Sequence, residues 1–427
     1  MFKSRKIVYA HKIFRPTVMS RLYLEAAGVL ERILFQKQGL KDALYKSRCP
    51  SKQKPAILGL VSKAVANHKL LNDALKKIGA FNQEVKMRTG LMFVMATELL
   101  MGSGEIRGGG QVKRYLVENL AQLKDFVSES GRQISVSKPD SKQLPRYIRV
   151  NASRWKSMAA AVSCLKSAGV AEVRLDPDVP NLLVVDSKET KSIVTLEEVK
   201  NGNLVLQDKS TCLSAFALLG DRPARGPAVH VIDACSAPGG KALHILELLR
   251  PGDVLTAVEQ DEKRAKVLED RLNSLGDMKK GVKVQVLNCD FLSLFQEDDH
   301  LVGLLPVTHV NLDPSCSGTG MDGPSTRGKE RLRTLASFQC KMLKHALNAF
   351  ESAKTVCYST CSVLPVENEE VVQSVLNGEG SGNSNFKIKA KPLPSWWKND
   401  EEDGGGFIRT NQEKNECRGF FLAKLVR

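Results

Sequence analysis

The 427-residue chain is short of the patterns that would make its ten cysteines structural. It has no C-x-x-C pair and no Cys/His spacing of a zinc site, and its seven histidines include no H-E-x-x-H. No metal and no disulfide framework is expected, and the scatter suits a reducing compartment. Long apolar runs are also missing. None reaches the roughly 20 residues that a spanning helix needs, and the N-terminus has no secretory apolar core, so a soluble intracellular protein with no membrane partner is expected. Acidic residues are scarce in one place only. Residues 1–150 hold 28 Lys and Arg against 11 Asp and Glu, whereas the remainder holds 35 against 36, so the net charge of +16 is entirely N-terminal. A localised basic excess of this kind marks a polyanion surface, because phosphate contacts release counterions, although a solvated helical face also fits.

Within that block "MFKSRKIVYAHKIFRPTVMSR" has no acid before Glu25. It reads as an RNA-binding arm, a nuclear targeting stretch or, alternatively, a mitochondrial presequence. Apolar residues three and four apart then predict a helical domain over residues 1–125, from "LYLEAAGVLERIL" to "MRTGLMFVMATELLMG", interrupted by the glycine run "RGGGQVKRYL". A polar linker over 126–145 follows. From Arg146 to residue 215 the pattern fits a small α+β unit, with "RYIRVN", "NLLVVD", "SIVTLEEV" and "NLVLQDKS" as its extended pieces around the helical "WKSMAAAVSCLKSAG".

Residues 216–427 read as α/β, a doubly wound Rossmann-like sheet. Its strands are "AVHVIDA", "VLTAVEQ", "VKVQVLNCD", "VTHVNLDPS" and "KTVCYST", with "NFKIKA" and "GFFLAKLV" at the end. Ligands of such sheets bind where the strands end. The first strand runs into a turn, Cys235-Ser236-Ala237-Pro238-Gly239-Gly240-Lys241, which matches neither G-x-G-x-x-G nor the Walker pattern and so disfavours a dinucleotide or a nucleoside triphosphate. A nucleotide-like ligand with a carboxylate in place of a pyrophosphate fits better. Glu259 at the second strand end is placed for ribose hydroxyls, and Asp290 at the third for an adenine amino group. Together they imply S-adenosylmethionine.

Two further strands end in thiols, Cys316 within "DPSCSG" and Cys361 within "YSTCS". A thiolate beside a methyl donor suits cytosine chemistry. Carbon 5 of the ring is too electron-poor to take a methyl group directly, and addition of sulfur at carbon 6 converts it to a nucleophilic enamine.

"DACSAPGGK", "NLDPSCSGTG" and "YSTCSVLPVENEE", with "LPRYIRVN" and "VLQDKSTC" upstream and "RGFFLAKL" at the end, resemble the NOP/Sun family of RNA cytosine-5 methyltransferases from Leu144 to Arg427. The segment "ELLMGSGEIRGGGQVKR" is similar to its Rcm-like branch, which modifies large-subunit ribosomal RNA. The resemblance implies a class I methyltransferase domain preceded by an RNA-recognition-like subdomain. It implies S-adenosylmethionine as cofactor, RNA or a pre-ribosomal particle as partner, and a nuclear or nucleolar address. It makes Cys361 the nucleophile and Cys316 the residue that helps release product, with Asp313 and Lys241 completing the catalytic set. Cys235, Ser236, Ala237, Pro238, Gly239, Gly240, Lys241, Glu259, Arg264, Asp290 and Asp313 form the cofactor shell, Ser236 standing where alanine is commoner. Arg146, Arg149 and Asn151 are read as facing phosphate, and Cys357 as strand packing. A DNA cytosine methyltransferase and a non-catalytic ribosome-assembly protein are the alternatives.

Overall fold

The computed structural model describes residues 18–36, 38, 40–82, 87–132, 144–152, 154–155, 157–223, 225–274, 281–301, 303–322, 329–378, 385–395, 397 and 405–427. The basic stretch before residue 18 and most of the expected linker lie outside the described residues. The chain divides into two compact units, Met1–Lys142 and Gln143–Arg427.

The first unit is helical as its periodicity predicts. Helix Thr89–Met101 is apolar on all sides and accordingly lies at the centre, with Met92, Phe93, Met95 and Leu99 packed among Leu30, Ile57, Val61 and Leu71. A helix so placed needs close neighbours. A Cβ at Gly90 would stand 2.8 Å from the carbonyl oxygen of Ala27, so glycine is what lets it approach helix Val18–Phe35. Helices Lys54–Ala66 and His68–Lys77 meet at Asn67. Helix Leu120–Glu129 carries the helical unit past residue 125.

The second unit holds two sheets. In the smaller, β1 (Arg146–Val150), β2 (Val173–Leu175), β3 (Leu182–Val185) and β4 (Leu204–Leu206) run antiparallel in the order β2-β3-β1-β4. "SIVTLEEV", expected extended, instead forms the short helices Thr190–Ile193 and Glu197–Lys200. Both faces of this sheet are covered. Ile148, Val150, Leu183, Val185 and Leu204 pack on helix Met158–Ser167, whereas Tyr147, Leu182 and Val184 join the core of the larger sheet. On its edge strand β2, Arg174 and Leu175 are exposed. Helix Lys209–Leu219, which straddles the expected boundary at 215, packs against the larger sheet.

The larger sheet contains β5 (His230–Asp233), β6 (Val254–Val258), β7 (Lys283–Leu287), β8 (Val307–Leu312), β9 (Thr355–Thr360), β10 (Lys387–Ile388), β11 (Phe407–Thr410) and β12 (Phe420–Val426). Its order is β10-β12-β9-β8-β5-β6-β7, with β11 also paired to β12. Strands β5 to β9 are mutually parallel and β12 is antiparallel to β9, so five strand ends open on one edge. The order reverses between β5 and β8, the position at which open α/β sheets bind their ligands. The short β2 and β11 escape sequence reading because three or four residues carry too little alternation.

Buried histidines sit neutral inside this unit, His230, His244 and His309 among them. His230 is fully buried, with its ring nitrogens 2.7 Å from the Leu305 carbonyl oxygen and 2.8 Å from the Thr256 hydroxyl oxygen. His244 lies edge-on to Phe216. Burial holds His230 below the usual imidazole value, burial and the Arg149 charge push His244 well below it, and burial with Arg222 and Lys424 takes His309 down to about 4. The unfolded chain gains these protons near pH 6.5 and the folded chain does not, so their contribution is complete above that pH and is lost as pH falls towards 4. The thermal midpoint should therefore drop steadily between pH 7 and pH 4.5. A flat midpoint over that range would contradict the assignment.

Candidate active site

The cofactor turn follows β5. Asp233 is buried at the strand end and accepts hydrogen bonds from Ser236 Oγ at 2.5 Å and Asn311 Nδ2 at 2.8 Å. Burial raises its carboxyl above the usual range. The serine that replaces the commoner alanine thus fixes the turn to its own strand, and its amide donates to the Val258 carbonyl across to β6. The Ala237–Pro238 peptide is cis, and Gly239, at φ 97°, adopts the left-handed conformation that starts helix Gly240–Leu248. From the far side Arg264 Nη2 donates to the Ala237 carbonyl at 2.6 Å, and Arg271 Nη1 to that of Pro238 at 2.8 Å.

Glu259, just past β6, is buried. It accepts from the Asp261 amide at 3.0 Å and pairs with Arg264 at 3.3 Å. Asp290, past β7, accepts from the Leu292 amide at 3.0 Å. A nucleoside with a carboxylate tail suits this set. No heavy atom lies within 4 Å of where a Cβ would stand on Gly240, so the helix N-terminus is open to an anionic group. The two acids retain lone pairs for hydroxyl and amino donors. Cys235 is not a reactive thiol, since burial drives it upward and Asp313, Asp233 and Glu259 add to the effect. Cys357 is wholly buried in β9 and is pushed up to about 12 by burial, as packing requires.

Beyond β8 and β9 lie Asp313, Cys316 and Cys361, and Lys241 reaches them from the helix after β5. Lys241 Nζ reaches across to Asp313 Oδ2 at 2.5 Å, and Ser359 donates to the other oxygen at 3.3 Å. Burial alone would lower the ammonium's pKa, but Asp313 outweighs it and, with Cys361 adding, the value ends above normal. The two thiols, 45 residues apart in sequence, stand with their sulfurs 3.3 Å apart. The Cys316 thiol is held well above its ordinary value, first by its hydrogen bond to Cys361 and then by burial.

What fixes that spacing was not visible in the sequence. Glu367, in the single turn Pro365–Glu367 after Cys361, is fully buried. One of its oxygens accepts from the Ser317 amide at 2.8 Å and Gln339 Nε2 at 3.1 Å, the other from Ser362 Oγ at 2.6 Å and from Ser317 Oγ. The Gly320 amide donates to the Cys361 carbonyl and that of Gly419 to the Gly320 carbonyl, each at 3.0 Å. Three loops therefore meet around the thiols. Their signal was the "VENEE" run, which hides one structural acid among others.

The residues read as facing phosphate fare differently. Arg146 is exposed and donates to Thr190 Oγ1 at 3.1 Å. Arg149 and Asn151 are buried, which corrects their reading as surface groups. Arg149 donates to Gln207 Oε1 at 2.9 Å and forms an ion pair with Glu247 on the helix that starts at the cofactor turn.

Comparison with known proteins agrees with this geometry. The family described as 16S rRNA methyltransferase RsmB/F matches residues 224–426. The chain is 31% identical to a 28S rRNA (cytosine-C(5))-methyltransferase of Mus musculus, over 95% of this chain and 91% of that protein. It is 28% identical to the 25S rRNA (cytosine-C(5))-methyltransferase rcm1 of Schizosaccharomyces pombe, over 94% and 90%. Among solved structures, a methyltransferase homolog from Pyrococcus horikoshii aligns with a TM-score of 0.51 at 22% identity, over 84% of this chain and 99% of that one. The NSun6 of the same organism aligns with a TM-score of 0.53 at 19% identity, over 66% and 90%. These two likenesses establish the fold.

Proposed function

The chain belongs to the Sun family of rRNA cytosine-C5 methyltransferases, and from that premise we propose that its target is a cytosine of large-subunit ribosomal RNA, reached through a transient bond from Cys361 to carbon 6. The enzyme uses S-adenosylmethionine, which when bound supplies an electrophilic methyl group that carbon 5 takes. The observation that carries the assignment is the 3.3 Å approach of the two sulfurs on the strand-end edge that holds the turn. The large-subunit target is supported by the 25S and 28S relatives, and a nucleolar place of work is part of the same proposal.

The roles are assigned on a proton shared by the pair: in the reactive state Cys316 holds it and Cys361, its sulfur 3.3 Å away, attacks as the thiolate. Lys241, held by Asp313, faces the same sulfur and offers a cation to the charge that develops on the ring. Once Cys361 is bonded to carbon, it no longer accepts from Cys316, and what held that proton in place is gone. The Cys316 thiol then gives that proton to water, and the thiolate left behind serves as base. It removes the proton from carbon 5, the 5,6 double bond re-forms, and the carbon–sulfur electron pair returns to Cys361.

Labelled methyl transfer should occur to large-subunit rRNA and not to duplex DNA. Methylation of DNA, or of no nucleic acid at all, would sink this reading. On the cofactor side, Glu259→Ala should weaken S-adenosylmethionine binding by about 1–3 kcal/mol, the usual cost of leaving polar partners unpaired. Wild-type affinity by calorimetry on the folded variant would remove the ribose from β6.

A further inference from the structure

We propose that Glu367 is a positioning residue that sets the distance between the two thiols, and that this distance governs release of the methylated base more than the initial attack. The proposal rests on Cys361 as nucleophile and Cys316 as base. Ser317 directly follows Cys316, and Ser362 directly follows Cys361. Both donate to the one carboxylate, Ser317 through its amide and hydroxyl and Ser362 through its hydroxyl. Gln339, from helix Lys329–Asn348, adds a fourth donor and also donates to the Ser315 carbonyl at 3.0 Å, on the other side of Cys316. Glu367 thus holds the chain next to each thiol while forming no hydrogen bond to either sulfur among those described.

The surroundings are equally specific. The Ser362 and Thr319 hydroxyls are 3.1 Å apart, and the Val363 amide donates to Thr319 at 3.1 Å, so the two loops interlock around the carboxylate. Asn368 adds a tie within the second loop. It donates to the Ser362 carbonyl at 2.9 Å and accepts from Thr360 at 2.6 Å. A buried carboxylate with no cation against it among the described residues is an expensive way to join two loops, since desolvation must be offset by hydrogen bonds alone. Apolar contact would hold the loops together. It would not hold two sulfurs at one separation, because packing lacks the directionality of four convergent hydrogen bonds.

Attack needs only Cys361 and the ring. Proton removal needs Cys316 at a defined place relative to the carbon that Cys361 already holds, so a loosened clamp penalises the later step. The test compares wild-type enzyme, Glu367→Ala, Glu367→Gln and Cys316→Ala on large-subunit rRNA. It reads cofactor affinity, released methylated RNA, and the fraction of enzyme in an adduct stable to denaturing electrophoresis. Glu367→Ala should bind cofactor as the wild type does, turn over ~100-fold more slowly, as small misplacements of reacting groups produce, and accumulate adduct. Glu367→Gln keeps an acceptor oxygen for the Ser317 amide and Gln339 and should recover much of the turnover. A folded Glu367→Ala with the wild-type ratio of adduct to released product would overturn the proposal, as would adduct and product falling together. If Glu367→Ala does not bind cofactor, Ser317→Ala and Ser362→Ala, each deleting one hydroxyl, decide by the same ratio. Absence of adduct in Cys316→Ala would instead overturn the thiol assignments, and this proposal with them.

Discussion

Cys316→Ala should yield a protein–RNA adduct that survives denaturing electrophoresis and disappears on nuclease treatment, whereas Cys361→Ala should yield neither adduct nor methylated RNA. The difference arises from the separate tasks proposed for two sulfurs 3.3 Å apart. In the proposed reaction Cys316 holds the shared proton while Cys361 attacks, and it acts only afterwards. Deleting it leaves attack and methyl transfer possible and removes the base that frees the product. Deleting Cys361 removes the only route to a nucleophilic carbon 5, and the double variant should behave like Cys361→Ala because adduct formation precedes release. Methyl transfer is expected to fall by roughly three orders of magnitude or more in Cys361→Ala, in line with loss of a catalytic nucleophile. Adduct trapped in Cys361→Ala and lost in Cys316→Ala would exchange the two roles.

The second large effect is on stability. Arg149→Ala should cost about 3–5 kcal/mol, the range for removing one member of a buried ion pair. The Arg149 side chain is 2% exposed and its partner Glu247 8%, so the carboxylate left behind has no water to turn to. Gln207, which accepts from Arg149 Nε, would lose its partner as well. Denaturant unfolding of the two variants checks this. Arg149→Met combined with Glu247→Leu should recover most of the loss, because it removes the uncompensated charge and keeps the volume. A loss under about 1 kcal/mol in Arg149→Ala would mean that the pair is solvated in solution.

That pair also shows where sequence reading stopped. The catalytic sheet was legible because its parallel strands are continuous apolar runs and each ends in a chemically distinctive residue. The turn after β5, Glu259, Asp290, Asp313, Cys316 and Cys361 could all be placed on one edge from strand order alone. Arg149 could not. In "RYIRV" it shares a face with Tyr147, and alternation says only that both point the same way. Whether that way is water or protein depends on Glu247, almost a hundred residues on, and on a helix that covers the face. Glu367 was missed for a related reason. One acid of the three in "VENEE" looks like part of a solvated helix start, and only the convergence of two loops separated by 45 residues makes it a buried acceptor. The spacing of the thiols is likewise a property of the β8–β9 pairing and not of either motif.

The small four-stranded sheet, apolar contacts on both of its faces, has a consequence for modularity. A module that can be shuffled between genes, or trimmed off for convenience, must tolerate water on whatever surface it shared. Here the shared surface includes Tyr147, Leu182 and Val184, and on the other side Leu213, Phe216 and Ile245. Separating the two would expose an apolar seam on both pieces, with a stranded charge at its middle. The two sheets of the second unit therefore have to move as one block. A transplant of the methyl-transferring sheet to a new RNA-binding partner has to take its small companion sheet with it.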